Sequence, residues 1–189
     1  MYLCYNIISV KKGVIRLFLL FSTALSLIAS PIVVAGPYGE GKYDIYKYGA
    51  QTSLSIATSG NISIPISPQT SGTLATGNSI VTVTSGDVVG YKLYVRALNS
   101  SNMDNVGTPL PASANGSPAA LAVDTWGYNT DGSNNFTGLL TTDTLIKSVS
   151  GPAESGDVTT FTYGVKIDLA KPAGNYSATV LYTAAPQTN

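Results

Sequence analysis

Between Val158 and Ala184 the chain reads VTTFTYGVKIDLAKPAGNYSATVLYTA, an alternation that admits pleated sheet and little else. In its second half Tyr176, Ala178, Val180 and Tyr182 fall on one face. Ser177, Thr179, Leu181 and Thr183 fall on the other. Period two, carried by β-branched and aromatic residues, is the mark of a strand. The stretch predicts two long strands joined at Lys171-Pro172-Ala173-Gly174-Asn175, closing the fold as a hairpin.

The same signal recurs upstream. Leu54 and Ile56, then Ile62, Ile64 and Ile66, alternate with small polar residues, and Pro65 marks the second run as an edge strand or bulge. Pro68 to Gly77 reads as a turn-rich connection. Ile80 to Thr84 is the next strand, and Val88 to Leu98 another, with Tyr91, Leu93, Val95 and Ala97 on one face. Asn99 to Ala119, crowded with Pro, Asn, Gly and Ser, reads as a long loop of the kind that often carries binding. Leu121 to Tyr128 and Leu145 to Val149 return to strand, and Gly151 to Gly156 forms a second loop. Short strands at fairly regular spacing, with no helical period after the first 35 residues, predict an antiparallel β-sandwich of Ig-like or jelly-roll type.

Composition removes whole classes of function. Charged residues make up 11% of the chain, with ten basic balancing ten acidic, against a usual charged fraction of roughly 25%. Capture of a polyanion has no electrostatic basis here. There is no histidine, and the single cysteine is Cys4. Beyond the leader described next, disulfides, zinc held by Cys or His, and Ser-His-Asp or Cys-His catalysis are excluded. No catalytic, cofactor-binding or metal-ligating residue is assigned, and the expectation is a protein that is not an enzyme. Glycoside hydrolysis by Asp124 with Asp157 or Glu154 is the minor alternative.

Lys11, Lys12 and Arg16 precede a mostly apolar run from Leu17 to Ala35, and Val33-Val34-Ala35 suits signal peptidase. Residues 1–35 therefore read as a signal-peptide helix, cleaved after Ala35. A retained membrane anchor is the rival reading, on the length of the run. The segment before Lys11 is long for a leader and leaves room for a later translation start. Residues 36–50, opening GPYGEGKYDIYKYG, read as an extended arm or linker, and residues 51–186 as the sandwich. Tyr38, Tyr43, Tyr46 and Tyr48 in the arm are candidate ligand or assembly contacts, because tyrosine joins large contact area to a polar tip. A plain spacer is the alternative.

Trp126 and Tyr128 complete the candidate contacts, as an aromatic platform for a sugar ring. The competing role for Trp126 is a core anchor between the sheets. Asn129 to Asn134 has the oxygen-rich look of a calcium loop but supplies one carboxylate, Asp131, which favours an ordinary turn. Lys166, Asp168 and Asn175 raise an intramolecular isopeptide bond, against a solvated lysine. Five Asn-x-Ser/Thr sequences, at Asn61, Asn99, Asn115, Asn135 and Asn175, mark surface positions.

Gly90-Tyr91-Lys92-Leu93-Tyr94-Val95, Asp124-Thr125-Trp126-Gly127-Tyr128, Tyr163-Gly164-Val165-Lys166 and Pro172-Ala173-Gly174-Asn175-Tyr176 form a combination with a resemblance. It is similar to uncharacterised secreted β-sandwich surface proteins of Saccharibacteria-type candidate-phylum bacteria, which also carry a Tyr/Gly-rich arm after the signal peptide. More distantly, the Pro-x-Gly-x-Tyr ending resembles WxL-type or pilin-like surface domains, although Trp126 is followed by Gly127-Tyr128 rather than x-Leu. The resemblance implies cell-surface placement and transfers no functional residues. The expected function is a secreted or cell-surface sandwich with a structural, adhesive or cell-contact role; an extracellular carbohydrate-binding module is the alternative. The expected partners are cell-surface or cell-wall components, or copies of the chain itself. Nucleic acid is not among them, and membrane enters only through an uncleaved leader.

Overall fold

Eleven strands and no helix account for the regular structure of residues 2–12 and 53–187, the part of the chain that the structure, a computed structural model, describes. They are β1 (Tyr2–Lys12), β2 (Ser53–Thr58), β3 (Ile62–Pro65), β4 (Thr73–Gly86), β5 (Gly90–Ala97), β6 (Met103–Asn105), β7 (Thr108–Leu110), β8 (Thr125–Asn129), β9 (Thr144–Ser150), β10 (Ala153–Ile167) and β11 (Gly174–Pro186). One sheet runs β3-β1-β11-β5-β9, with β6 and β7 attached beside β11. The other runs β2-β4-β10-β8. Their inner faces pack together, so the chain is an all-β sandwich. All strand pairs are antiparallel but one, β1 with β3.

The alternation seen in the sequence sets the core. Tyr176, Val180, Tyr182 and Ala184 of β11 and Tyr91, Leu93, Val95 and Ala97 of β5 are fully enclosed, facing Phe161, Tyr163, Val165 and Ile167 of β10. Because strand residues alternate faces, a slip of one position would turn each of these sets to solvent, and burial therefore fixes the register. Pro65 sits where its missing N–H is tolerated, in the terminal strand of its sheet.

The two closing strands do not form a hairpin. β10 pairs with β4 and β8, whereas β11 pairs with β1 and β5, so residues 168–173 carry the chain across from one layer to the other. Asp168 Oδ1 accepts a hydrogen bond from Ala170 N at 2.8 Å, and the Tyr176 hydroxyl donates to the Pro172 carbonyl at 2.9 Å. The arch lets the apolar faces of both strands oppose each other through the core. There the Tyr163 and Tyr182 hydroxyls meet at 2.5 Å.

Three further segments expected as connections hold strands, the shortest being Gly151 to Gly156, where β10 already begins at Ala153. Within Pro68 to Gly77, β4 already begins at Thr73 and pairs with the end of β10. Gly77 belongs to the strand because of what lies on it: a Cβ there would stand 2.7 Å from Ile62 Cγ2 and 2.8 Å from Ile64 Cγ1. Within Asn99 to Ala119, β6 and β7 make a short hairpin turning at Val106-Gly107, and it delivers Met103 and Leu110 to the core.

The expected 1–35 leader meets the fold at one end. Tyr2–Lys12 is a strand rather than part of a helix, and residues 1–13 group with the sandwich. The remainder of the leader and the whole 36–50 arm lie outside the described residues.

Candidate functional site

Of the six aromatic residues singled out as contacts, Tyr38, Tyr43, Tyr46 and Tyr48 lie outside the described residues. Trp126 and Tyr128 are in the core, at 0% and 6% exposure, and neither offers a ring face to a ligand. Their positions follow from β8, which pairs with β10 and turns both residues inward. Trp126 stands 6.4 Å from the Tyr163 ring and Tyr128 6.1 Å from Phe161, while Phe161 meets Tyr182 of the opposite sheet at 4.9 Å. The indole N–H donates to the Ser101 carbonyl at 2.9 Å, which pins the loop before β6. Burial raises the Tyr128 hydroxyl above its ordinary range, and burial followed by the neighbouring Tyr182 raises Tyr163 further.

On the other side of β8 and β10, Gly127 and Gly164 are paired across the strands, and Phe136 lies over the pair. A Cβ at Gly164 would stand 2.5 Å from that ring. Phe136 is itself fully enclosed, so the glycines and the ring make a second small packed layer outside the sheet.

The turn with the look of a calcium loop is closed by its own side chains. Asn129 Nδ2 donates to the Ser133 and Asn135 carbonyls at 2.8 and 2.9 Å, and its Oδ1 accepts from Gly132 N at 3.1 Å. Asp131 accepts from Ser133 N at 3.0 Å, and this bond lowers its carboxyl pKa. Among the described residues no group of three His, Cys, Asp or Glu side chains is placed to hold a metal. Nor are the isopeptide partners buried together: Asn175 is exposed, and the Lys166 stem runs over Gly72.

Asp157, a candidate for acid chemistry, is committed elsewhere. Its Oδ1 accepts from Lys147 Nζ at 2.7 Å, and its Oδ2 accepts from the Tyr91 hydroxyl, joining β9 and β5 of one sheet to β10 of the other. Partial burial alone would raise its pKa. The hydrogen bonds from Lys147 and Tyr91, and the lysine charge, outweigh that and leave it below the ordinary carboxylate range. Burial and the adjacent carboxylate push the Tyr91 hydroxyl upward. A carboxylate depressed on folding contributes stability above its unfolded pKa of about 3.9, and loses it as pH falls through the folded value. With about a third of both side chains exposed, solvent screening limits the contribution to about 1 kcal/mol. Asp157→Asn should remove that contribution at neutral pH and flatten the loss of stability below pH 4. Urea titrations of both proteins from pH 7 to pH 2 measure it, and parallel curves would contradict this role.

The feature that most distinguishes the surface of the sandwich is the strand between β3 and β11. β1 pairs along its whole length with β11, from Tyr2 opposite Ala184 to Lys12 opposite Gly174. On its other side Ile8 to Lys11 pair in parallel with Ile62 to Pro65. Among the described residues β3 has no other strand partner in its sheet. Ile8 is fully enclosed, beside Ile64, Tyr176 and Val180, which are also at 0% exposure. An internal position of the sheet is thus filled by the first residues of the chain, which precede the run with signal-peptide character. The sequence reading missed this role because it assigned those residues to the leader; their Ile, Val and Tyr content was the available signal.

No protein-family model matches the chain, and no curated protein and no solved structure matches it either. Its class therefore rests on the fold itself, two packed sheets with an aromatic core.

Proposed function

We propose that the protein is an exported cell-surface sandwich with a structural, adhesive or cell-contact role, exercised by exchange of strands at the β3–β11 position. The observation that carries this reading is the β1 ladder. A strand supplied from outside residues 53–187 is hydrogen-bonded on both edges and sealed over the core. Strand addition gives affinity through main-chain hydrogen bonds and specificity through alternate side chains, so it suits a protein of low charge whose aromatics, among residues 53–187, are all buried but Tyr94. Cleavage after Ala35 would release β1 and leave that ladder to another strand. The carbohydrate-binding alternative loses support from the burial of Trp126 and Tyr128.

Sedimentation velocity of the exported chain, with and without residues 36–50, tests the reading. The intact form is expected to gain mass with concentration and the shortened form to stay small. Monomers at every concentration for both would overturn the assembly role.

A further inference from the structure

We propose that Asn115 is a deamidation site shielded by the fold. Loss of its side-chain amide in the unfolded chain leaves a product that cannot close the segments covering the free edge of β8.

Asn115-Gly116 is the only Asn-Gly pair in the sequence. Such pairs are the most prone to spontaneous deamidation, because glycine leaves the following backbone nitrogen open to close approach. Among the described residues, no heavy atom apart from its chain neighbours lies within 4 Å of where a Cβ on Gly116 would stand. The Gly116 nitrogen attacks Asn115 Cγ and forms the N–Cγ bond of a succinimide ring. The Cγ–Nδ2 bond breaks, and Nδ2 leaves as ammonia with the proton that the Gly116 nitrogen gives up. Water then opens the ring at one carbonyl or the other, leaving aspartate or isoaspartate. Water is the sole co-reactant, and nothing is oxidised or reduced.

In the folded chain the same amide holds a junction. Its Nδ2 donates to the Ala119 and Phe136 carbonyls, both at 3.1 Å, and to the Ala120 carbonyl at 3.3 Å. Its two hydrogens are thus shared among three acceptors. The Asn115 N–H donates to Ser113 Oγ at 3.2 Å, and its C=O accepts from Gly138 N at 3.0 Å. Ring closure must turn the side chain and the following peptide towards each other, and these bonds hold both in place. Deamidation in the folded protein therefore waits on an opening of this segment.

What the amide holds together is the cover of a sheet edge. Among the named strands β8 pairs only with β10. Along its other side Trp126 N donates to Pro111 O at 3.2 Å, and Ser113 N donates to Trp126 O at 2.7 Å. Tyr128 and Thr137 exchange both backbone bonds, at 2.9 and 2.8 Å. The two covering segments are joined by the mutual bonds of Ala119 and Phe136, and by Asn115 to Phe136 and Gly138. Their fit is close: a Cβ on Gly138 would stand 1.8 Å from the Ser113 carbonyl oxygen. An ionised aspartate at position 115 has no hydrogen to donate, and it would set a carboxylate against three carbonyl oxygens. An isoaspartate lengthens the backbone between the bonds made at Ser113 and Ala119, and breaks their register. Either product withdraws the cover and bares the β8 edge, the strand of Trp126 and Tyr128.

The test incubates the chain recovered from its cells at mildly alkaline pH, one portion folded and one unfolded in guanidinium chloride. Peptide mapping by mass spectrometry follows the amide-to-acid conversion at each asparagine. Dilution from denaturant, with circular dichroism and a thermal melt, gives the fraction that regains the fold. In denaturant, conversion is expected first at Asn115, ahead of Asn78 and Asn99, which precede serine. In the folded portion it should be slower by about tenfold or more, because the segment is mostly closed. The refoldable fraction should fall in step with conversion at Asn115. Gly116→Ala, for which there is room, should slow conversion and preserve refolding to the same degree. Conversion at Asn115 no faster than at Asn99 in denaturant would overturn the inference, as would equal rates at Asn115 in the two portions. Converted chains that refold and melt with the parent would show that the amide is dispensable. Equal loss of refolding in Gly116→Ala would assign the loss to another cause and sink the proposal.

Discussion

Trp126→Ala is expected to destabilise the sandwich by about 3–5 kcal/mol, the range for removing a fully enclosed large aromatic. The corresponding drop in Tm is about 6–20 °C. Two losses combine. The indole fills the space between β8 and the interior, touching the ring system that continues through Tyr163 and Phe161 to Tyr182 of the opposite sheet. Its N–H also holds the Ser101 carbonyl, which would be left without that donor. Trp126→Phe keeps much of the volume and loses the bond, so it should cost less, about 1–3 kcal/mol. Calorimetry or circular dichroism is the suitable readout, because the substitution removes the only tryptophan. Equal melting temperatures for Trp126→Ala and the parent would mean that the indole is at the surface, and would return it to candidacy as a binding platform.

That burial was legible from β-strand context, and so was the inward parity of β5 and β11. Alternation is a local property, written into residues two apart. Strand partnership is not. Pro172 and Gly174 suit a hairpin as well as an arch, and nothing between Asp168 and Asn175 says whether β11 will lie beside β10 or beneath it. Only the pairing with β1 and with β5, whose residues lie 83 to 95 positions earlier in the chain, decides the matter. The start of β4 was hidden for a related reason. Gly72 and Gly77 look like turn residues, yet Gly77 is a strand residue with two isoleucines packed onto it. The polar link of Tyr91, Lys147 and Asp157 unites residues up to 66 positions apart, so no spacing rule could have exposed it. The chemistry of the site shows the same limit. Absence of histidine and of a second cysteine narrowed the possibilities from composition alone. The strand position between β3 and β11 became visible only when the sheet order was known.

If strand exchange completes the sheet of a chain that lacks β1, as proposed above, the stability of that chain must depend on its concentration. A partner that binds only the folded state stabilises it by about 2.7 kcal/mol when present at a hundred times its dissociation constant. For a chain of this length that amounts to about 5–10 °C in Tm. Thermal melts of the chain beginning at Gly36 are therefore expected to rise across a dilution series spanning two orders of magnitude. The precursor, with β1 in place from its own sequence, should melt at one temperature throughout. The size of the effect follows from what β1 does. Among the described residues it is the only strand partner of β3, and it covers the core with Ile8, so an unfilled position exposes Ile62 and Ile64 together with the edge of β11. Adding a synthetic Tyr2–Lys12 peptide to a dilute chain beginning at Gly36 should restore the lost stability, because it supplies the strand that pairs with both β11 and β3. A processed chain whose Tm is the same at every concentration, and is unmoved by the peptide, would show that the sandwich is complete without a neighbour.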